Sequence, residues 1–249
     1  MIELENKRAL VTGGAVRVGG AIARALGAAG MHVAVHYRSS SEEAERTCAE
    51  IEALGGRAVP LSADLSDRDQ ARRLVDEAVG HLGGLDLLVP SAASFERVRY
   101  DRVDDAAWDR SLGLNLASQF ALAHQATAAL RASRGSIVFI TCSSATTPFK
   151  NHLPYVVSKG ALRQLMRVLA LELAPEVRVN AVAPGTVLPP EEMTPEAVER
   201  LAQHVPLRAT GTPEDIARAV VYLAQSSFVT GHEIVVDGGR SVAQVERFG

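Results

Sequence analysis

Thr12-Gly13-Gly14-Ala15-Val16-Arg17-Val18-Gly19-Gly20-Ala21-Ile22-Ala23 follows the apolar run Arg8 to Thr12 and leads into a helix-forming stretch. A glycine-rich turn between a strand and a helix lets the backbone approach a pyrophosphate, whose charge the free N–H groups and the helix dipole attract. The strict GxGxxG spacing is absent. Outward from this unit the pattern repeats. Further short apolar runs lie at His32 to His36, Arg57 to Ser62, Leu85 to Val89, Ser136 to Thr141, Arg178 to Ala183 and Glu233 to Val236. Helix-forming stretches separate them at Gly19 to Ala29, Ser41 to Leu54, Asp67 to His81, Asp104 to Leu130, Leu153 to Ala174 and Pro213 to Gln225. Alternation of this kind predicts βα units feeding one parallel sheet, an α/β domain of the doubly wound Rossmann type with seven strands flanked by helices. Ser40 with Glu43 has capping-box spacing, and Thr212-Pro213 places a cap residue before a proline at the first helical position.

With 249 residues, 47% of them hydrophobic and 22% charged, the chain has globular composition, which excludes disordered, collagen-like and disulfide-scaffold classes. The net charge of −3 comes with scattered Lys and Arg, so no basic stripe for nucleic acid is readable. Cys48 and Cys142 lack CxxC or His-rich companions, which predicts neither a metal site nor a disulfide and fits a reducing cytosol. The charged N-terminal residues and the lack of an apolar run near 20 residues predict a cytoplasmic protein without a membrane segment. One domain is expected over 1–249, since no linker divides the chain. The stretch Pro184 to Pro206, with five prolines and a short acidic helical pattern, is expected to be a lid over a site.

The residues after the second strand, His36-Tyr37-Arg38-Ser39-Ser40, offer a cation and hydroxyls, with no acid until Glu42. An acid here would hold a ribose 2′-hydroxyl, whereas arginine pairs with a 2′-phosphate, so NADPH/NADP+ is the expected cofactor and Arg17 a second positive charge near that phosphate. Tyr155-Val156-Val157-Ser158-Lys159 puts a phenol and an ammonium four apart on one helix face. The ammonium is expected to favour the phenolate, giving a tyrosine that can donate and accept a proton in carbonyl reduction.

The turn over Thr12 to Gly19 resembles the TGxxxGxG turn of the short-chain dehydrogenase/reductase family, with Arg17 in place of the middle glycine. The Tyr155/Lys159 pair and Arg178-Val179-Asn180-Ala181-Val182-Ala183-Pro184-Gly185 resemble that family in the same order, and the resemblance covers essentially the whole chain. It implies a single domain in which Tyr155 is the general acid, Lys159 also holds the nicotinamide ribose, and Asn115 of Gly113-Leu114-Asn115-Leu116-Ala117 supports a water and lysine proton relay. It further implies cofactor contacts from Gly13, Arg17, Val18, Gly19, Tyr37, Arg38, Ser39, Ala92, Pro184, Gly185 and Val187, with Asp64 and Leu65 bracketing the adenine. Family members usually form homotetramers, and the tail from Asp237 to Gly249 is expected to reach a neighbour.

Two departures stand out. The family serine thirteen positions before the tyrosine is Cys142 here, a weaker hydrogen-bond donor. Three readings follow: Ser143 or Ser144 substitutes, Cys142 serves weakly, or catalysis is impaired. Pro90-Ser91 replaces the amide side chains that commonly brace the fourth strand. Arg17, His36-Tyr37-Arg38-Ser39 and Phe95 resemble the pteridine-reductase branch, in which the phenylalanine stacks on the pterin; that branch usually has aspartate where Cys142 stands. The leading expectation is an NADPH-dependent reductase of a small carbonyl or pterin-like C=N substrate, with Phe95, Ser143 and Tyr155 at the substrate. A 3-oxoacyl-carrier-protein reductase docking through Arg97, Arg99 and Arg102 is one alternative, and a non-catalytic NADP(H)-binding regulator is another.

Overall fold

The computed structural model describes residues 1–188 and 193–243. Seven parallel strands, β1 (Arg8–Thr12), β2 (His32–Tyr37), β3 (Arg57–Ser62), β4 (Leu87–Pro90), β5 (Ser136–Ile140), β6 (Arg178–Pro184) and β7 (Glu233–Val236), form one sheet in the order β3-β2-β1-β4-β5-β6-β7. Successive residues of a strand face opposite sides, and both sides are covered, so the strands read as continuous apolar runs. Ala9 and Val11 of β1 pack with Ile22 and Leu26 of α1 (Arg17–Ala28), Ile51 of α2 (Ser41–Ala53) and Val220 of α8 (Pro213–Gln225). Leu10 joins the opposite layer with Leu74 of α3 (Arg68–Leu82), Leu122 of α5 (Ser118–Ser133) and Met166 of α6 (Leu153–Glu172).

The helix expected over Asp104 to Leu130 is broken. α4 (Asp105–Leu112) gives way to a π-helical segment, Gly113–Ala117, before α5 begins. The widened turn leaves the Leu114 carbonyl short of an ordinary helical partner, and the Ser118 hydroxyl (2.7 Å) and Gln119 amide (3.3 Å) donate to it. Ser40 makes no side-chain cap bond, which corrects the expected capping box. Thr212 does head α8, with the Asp215 carboxylate accepting from its N–H and hydroxyl at 2.7 and 3.0 Å.

The acidic pattern in the proline-rich stretch forms α7 (Pro195–Gln203), after Thr194 as its cap. Residues 189–192 of the expected lid, and 244–249 of the expected neighbour-reaching tail, lie outside the described residues. The last helical turn, α9 (Arg240–Ala243), is capped by Asp237, which accepts from the Gly239 and Ser241 N–H groups. Among the described residues no helix is long and apolar enough to cross a membrane.

Candidate active site

Strand order reverses between β1 and β4, and the crevice at the carboxyl ends of such neighbours is where ligands bind in open α/β sheets. Thr12 pairs in register with Pro90, so the glycine turn and the β4 exit leave the sheet side by side. Gly13 has φ +62°, and a Cβ there would lie 3.1 Å from the Ala92 Cα. A Cβ on Gly19 would strike the Gly13 carbonyl. Arg17, at the position expected to be glycine, keeps the left-handed backbone with φ +53°. Val16 supplies no cap bond to α1, whose first turn has no acidic side chain. Its free N–H groups and positive dipole end suit a pyrophosphate.

His36 fastens this turn. Its Nδ1 accepts the Gly13 N–H at 3.0 Å, which leaves Nε2 to carry the proton donated to the Ala63 carbonyl at 3.1 Å. Burial pulls His36 down to about 4, so it stays neutral.

Arg38 and Ser39 are exposed beyond β2, and Tyr37 packs partly on the core. Among the described residues neither Arg17 nor Arg38 is in an ion pair. Hydrogen bonds from the Ser66 N–H and hydroxyl hold the Asp64 carboxyl below its ordinary range, with a smaller contribution from the nearby Arg38 charge. The side chains of Leu65 and Val187 are buried in the core. Pro184 ends β6, Val18 packs against the core, and Gly185 donates to the Val236 carbonyl where a Cβ would come 2.5 Å from Asp237. These features fit a nicotinamide dinucleotide: a glycine cradle, an uncapped helix end with Arg17 in its first turn, and Arg38 exposed just beyond β2.

Tyr155 and Lys159 lie in the first two turns of α6 and are 9% and 3% exposed. The Lys159 ammonium donates to the Ile140 carbonyl at 2.8 Å and stands 5.8 Å from the Tyr155 ring centroid. Burial lowers Lys159 to about 8. Burial also pushes the Tyr155 phenol well above its ordinary range, and the charge and hydrogen bond of Cys142 push it the same way. Desolvation of the buried phenol thus opposes the pull toward phenolate expected from the lysine.

Of the residues at 142 to 144, Cys142 is the one near enough to Tyr155 to help raise its phenol. Its sulfur also accepts the Ser144 N–H at 3.4 Å, at the head of a 3₁₀ turn over Ser143–Ala145. Ser143 is half-buried, and the Ser144 hydroxyl is buried without a hydrogen-bond partner among the described residues.

Asn115, fully buried in the π segment, accepts the Ser94 N–H at 2.9 Å and donates to the Ser94 carbonyl at 3.1 Å and the Ser158 hydroxyl at 3.2 Å. It clamps the loop after β4 to α6. The loop after Pro90-Ser91 is braced by Thr12 of the glycine turn and by Gln119, which the sequence reading did not single out. The Thr12 hydroxyl accepts the Ala92 N–H at 3.1 Å, and the Gln119 amide donates to the Ala92 carbonyl at 2.9 Å. A second buried amide four residues after Asn115 was the available signal.

Phe95 stands over this centre. Its ring stacks on His152 at 4.5 Å and meets Tyr155 edge-on at 4.8 Å and Phe149 at 6.2 Å. Nearby, Arg99 is paired with Asp101 and Arg110 with Glu96, which partly neutralises the expected basic docking loop. Among the described residues no cluster of His, Cys, Asp or Glu could hold a metal ion.

The family model described as Enoyl-(Acyl carrier protein) reductase matches residues 14–241, and the chain belongs to the short-chain dehydrogenase/reductase family of oxidoreductases. A 3beta-hydroxysteroid dehydrogenase 1 of Eggerthella lenta is 35% identical over 256 residues, covering 99% of this chain and 98% of that protein. The structure of FolM alternative dihydrofolate reductase 1 from Brucella suis in complex with NADP is similar with a TM-score of 0.91 and 35% identity, over 97% of each chain. A 7 alpha-hydroxysteroid dehydrogenase complexed with NADH and 7-oxo glycochenodeoxycholic acid follows at 0.90 and 32%, over 95% of each chain.

Proposed function

We propose that the protein is an NADPH-dependent reductase of a small carbonyl or pterin-like C=N compound. The observation that carries this reading is the buried Tyr155 phenol, with the buried Lys159 ammonium 5.8 Å from its ring and burial favouring its protonated form. A group that keeps its proton is the acid a reduction needs. The choice of NADPH rests on Arg38 and Arg17 at the β2 side of the crevice, since relatives are complexed with NADP in one case and NADH in another.

NADPH, when bound, supplies the hydride. Gly13, Val18 and Gly19 would hold its pyrophosphate at the α1 end, Arg17, Tyr37, Arg38 and Ser39 its 2′-phosphate, and Asp64 and Leu65 its adenine. Ala92, Pro184, Gly185 and Val187 would line the nicotinamide side through their main chains. Tyr155 gives its proton to the substrate oxygen or nitrogen, and the Cys142 thiol hydrogen-bonds the same atom. Lys159 holds the ribose and returns the proton to Tyr155, with Asn115 supporting the relay through the loop it clamps. The stretch 184–206 acts as the lid. Exposed Val168 and Leu171 on α6 support assembly as a homotetramer, and a cytoplasmic location belongs to the same reading.

Tyr155→Phe tests it with NADPH oxidation across a ketone and dihydropterin panel. The expected result is a loss of 10²-fold or more in kcat with NADPH affinity little changed. A wild-type protein that binds NADPH and turns over nothing would support the non-catalytic role instead, and a preference for NADH would sink the assignment of the arginines.

A further inference from the structure

Two loops that are remote in sequence form one wall beside Tyr155. The loop after β4 carries Phe95, and the loop before α6 carries Phe149 and His152. They are tied together by a parallel bridge between Val98 and His152, with the Val98 N–H donating to the Asn151 carbonyl at 2.8 Å. Asn115 anchors the same wall from behind through Ser94. Phe95 therefore touches three rings, those of His152, Phe149 and Tyr155, on a backbone already fixed. It is nevertheless 60% exposed, which leaves ring surface for a ligand.

His152 adds a polar handle. Its Nδ1 lies 3.0 Å from the Lys150 carbonyl, an atom that can only accept, so Nδ1 carries the ring proton. In the Nδ1–H tautomer that this contact selects, Nε2 is the ring nitrogen left to accept a hydrogen bond from a ligand. An aromatic wall with one acceptor selects a planar ring that bears a hydroxyl, because stacking fixes the plane and the hydrogen bond fixes the rotation within it.

We infer that Phe149 and His152, with Phe95, determine specificity for planar aromatic ketones that carry a phenolic hydroxyl, the hydroxyl donating to His152 Nε2. This rests on the reductase reading for turnover but not for binding. The reaction balances as hydride to the carbonyl carbon and a proton from Tyr155 to its oxygen, giving the alcohol and NADP+.

The test compares 6-hydroxy-1-tetralone, 1-tetralone and cyclohexanone as substrates with NADPH, and 2-naphthol as a non-reducible ligand of the NADP+-loaded protein by calorimetry. The tetralones should exceed cyclohexanone in kcat/KM by about tenfold, and Phe95→Leu or Phe149→Leu should lower that ratio at least several-fold. The hydroxyl should add a further several-fold that disappears in His152→Phe, which keeps the stack and removes the nitrogen. Turnover with no aromatic or hydroxyl preference, or a hydroxyl advantage that survives in His152→Phe, overturns the wall and leaves the reductase reading standing. Naphthol binding that weakens in His152→Phe, without turnover of any ketone, upholds the wall and overturns the reductase reading. Neither binding nor turnover overturns both.

Discussion

At Arg17 a side chain occupies a backbone conformation that favours glycine, with φ +53°. Left-handed geometry costs a residue with a Cβ about 1–2 kcal/mol, and part of that is returned because glycine would loosen the unfolded chain. Arg17→Gly should therefore leave the melting temperature unchanged or raise it slightly, while NADPH titration should show affinity falling about tenfold as the phosphate loses a charged partner. A variant that is less stable and binds NADPH normally would show that the arginine serves the fold. Cys142 has the opposite character, since a weaker donor stands where a stronger one would fit. Cys142→Ser should preserve or raise kcat in steady-state assays, and an abolished reaction would mean that the thiol itself is required.

Among elements, the glycine turn and the ends of β2 and β3 are joined by one neutral imidazole. His36 sits near 4 in the folded protein against about 6.5 when free, so between those values the unfolded chain binds a proton that the folded chain refuses. Stability should fall as pH drops from 6.5 to 4, by up to about 3 kcal/mol, and His36→Asn should flatten that limb in denaturant titrations. Asp64 and Asp86 are held below their usual 3.8, so their losses begin only at lower pH. The strands were legible because parallel strands buried on both faces make unbroken apolar runs, and each of the seven proposed runs overlaps a strand. The π segment was not legible, because apolar periodicity continues through Gly113 to Ala117 while one wider turn shifts its phase. Tyr155 and Lys159 were readable as a pair four residues apart, and Cys142 was singled out by the family resemblance. Phe149 and His152 were not, since a lone ring in a loop has no period and their meeting with Phe95 depends on a bridge between distant segments.

Across the whole molecule, a single sheet runs from Arg8 to Val236, so on the proposed reading the substrate site is built from loops of the same sheet's domain. One set of side chains around the buried Glu233 carboxylate ties its late elements together. Glu233 on edge strand β7, 6% exposed, accepts from the Thr141 hydroxyl at 2.7 Å and pairs with Arg163 of α6 at 2.8 Å, a contact not aligned as a hydrogen bond. Arg163→Met leaves that carboxylate buried with less compensation; because the arginine is about two-fifths exposed, we expect a cost of about 1–2 kcal/mol in urea unfolding. Adding Glu233→Gln should recover much of it, and strict additivity of the two losses would show that they do not interact. The chain also holds just two thiols. Cys48 is buried and pushed up to about 11, which keeps it inert, whereas Cys142 is half-buried beside Tyr155. Cyanylating the accessible sulfur would thus place a nitrile oscillator beside Tyr155 in the otherwise unaltered chain, where its stretching frequency reports the local electric field before and after the dinucleotide arrives.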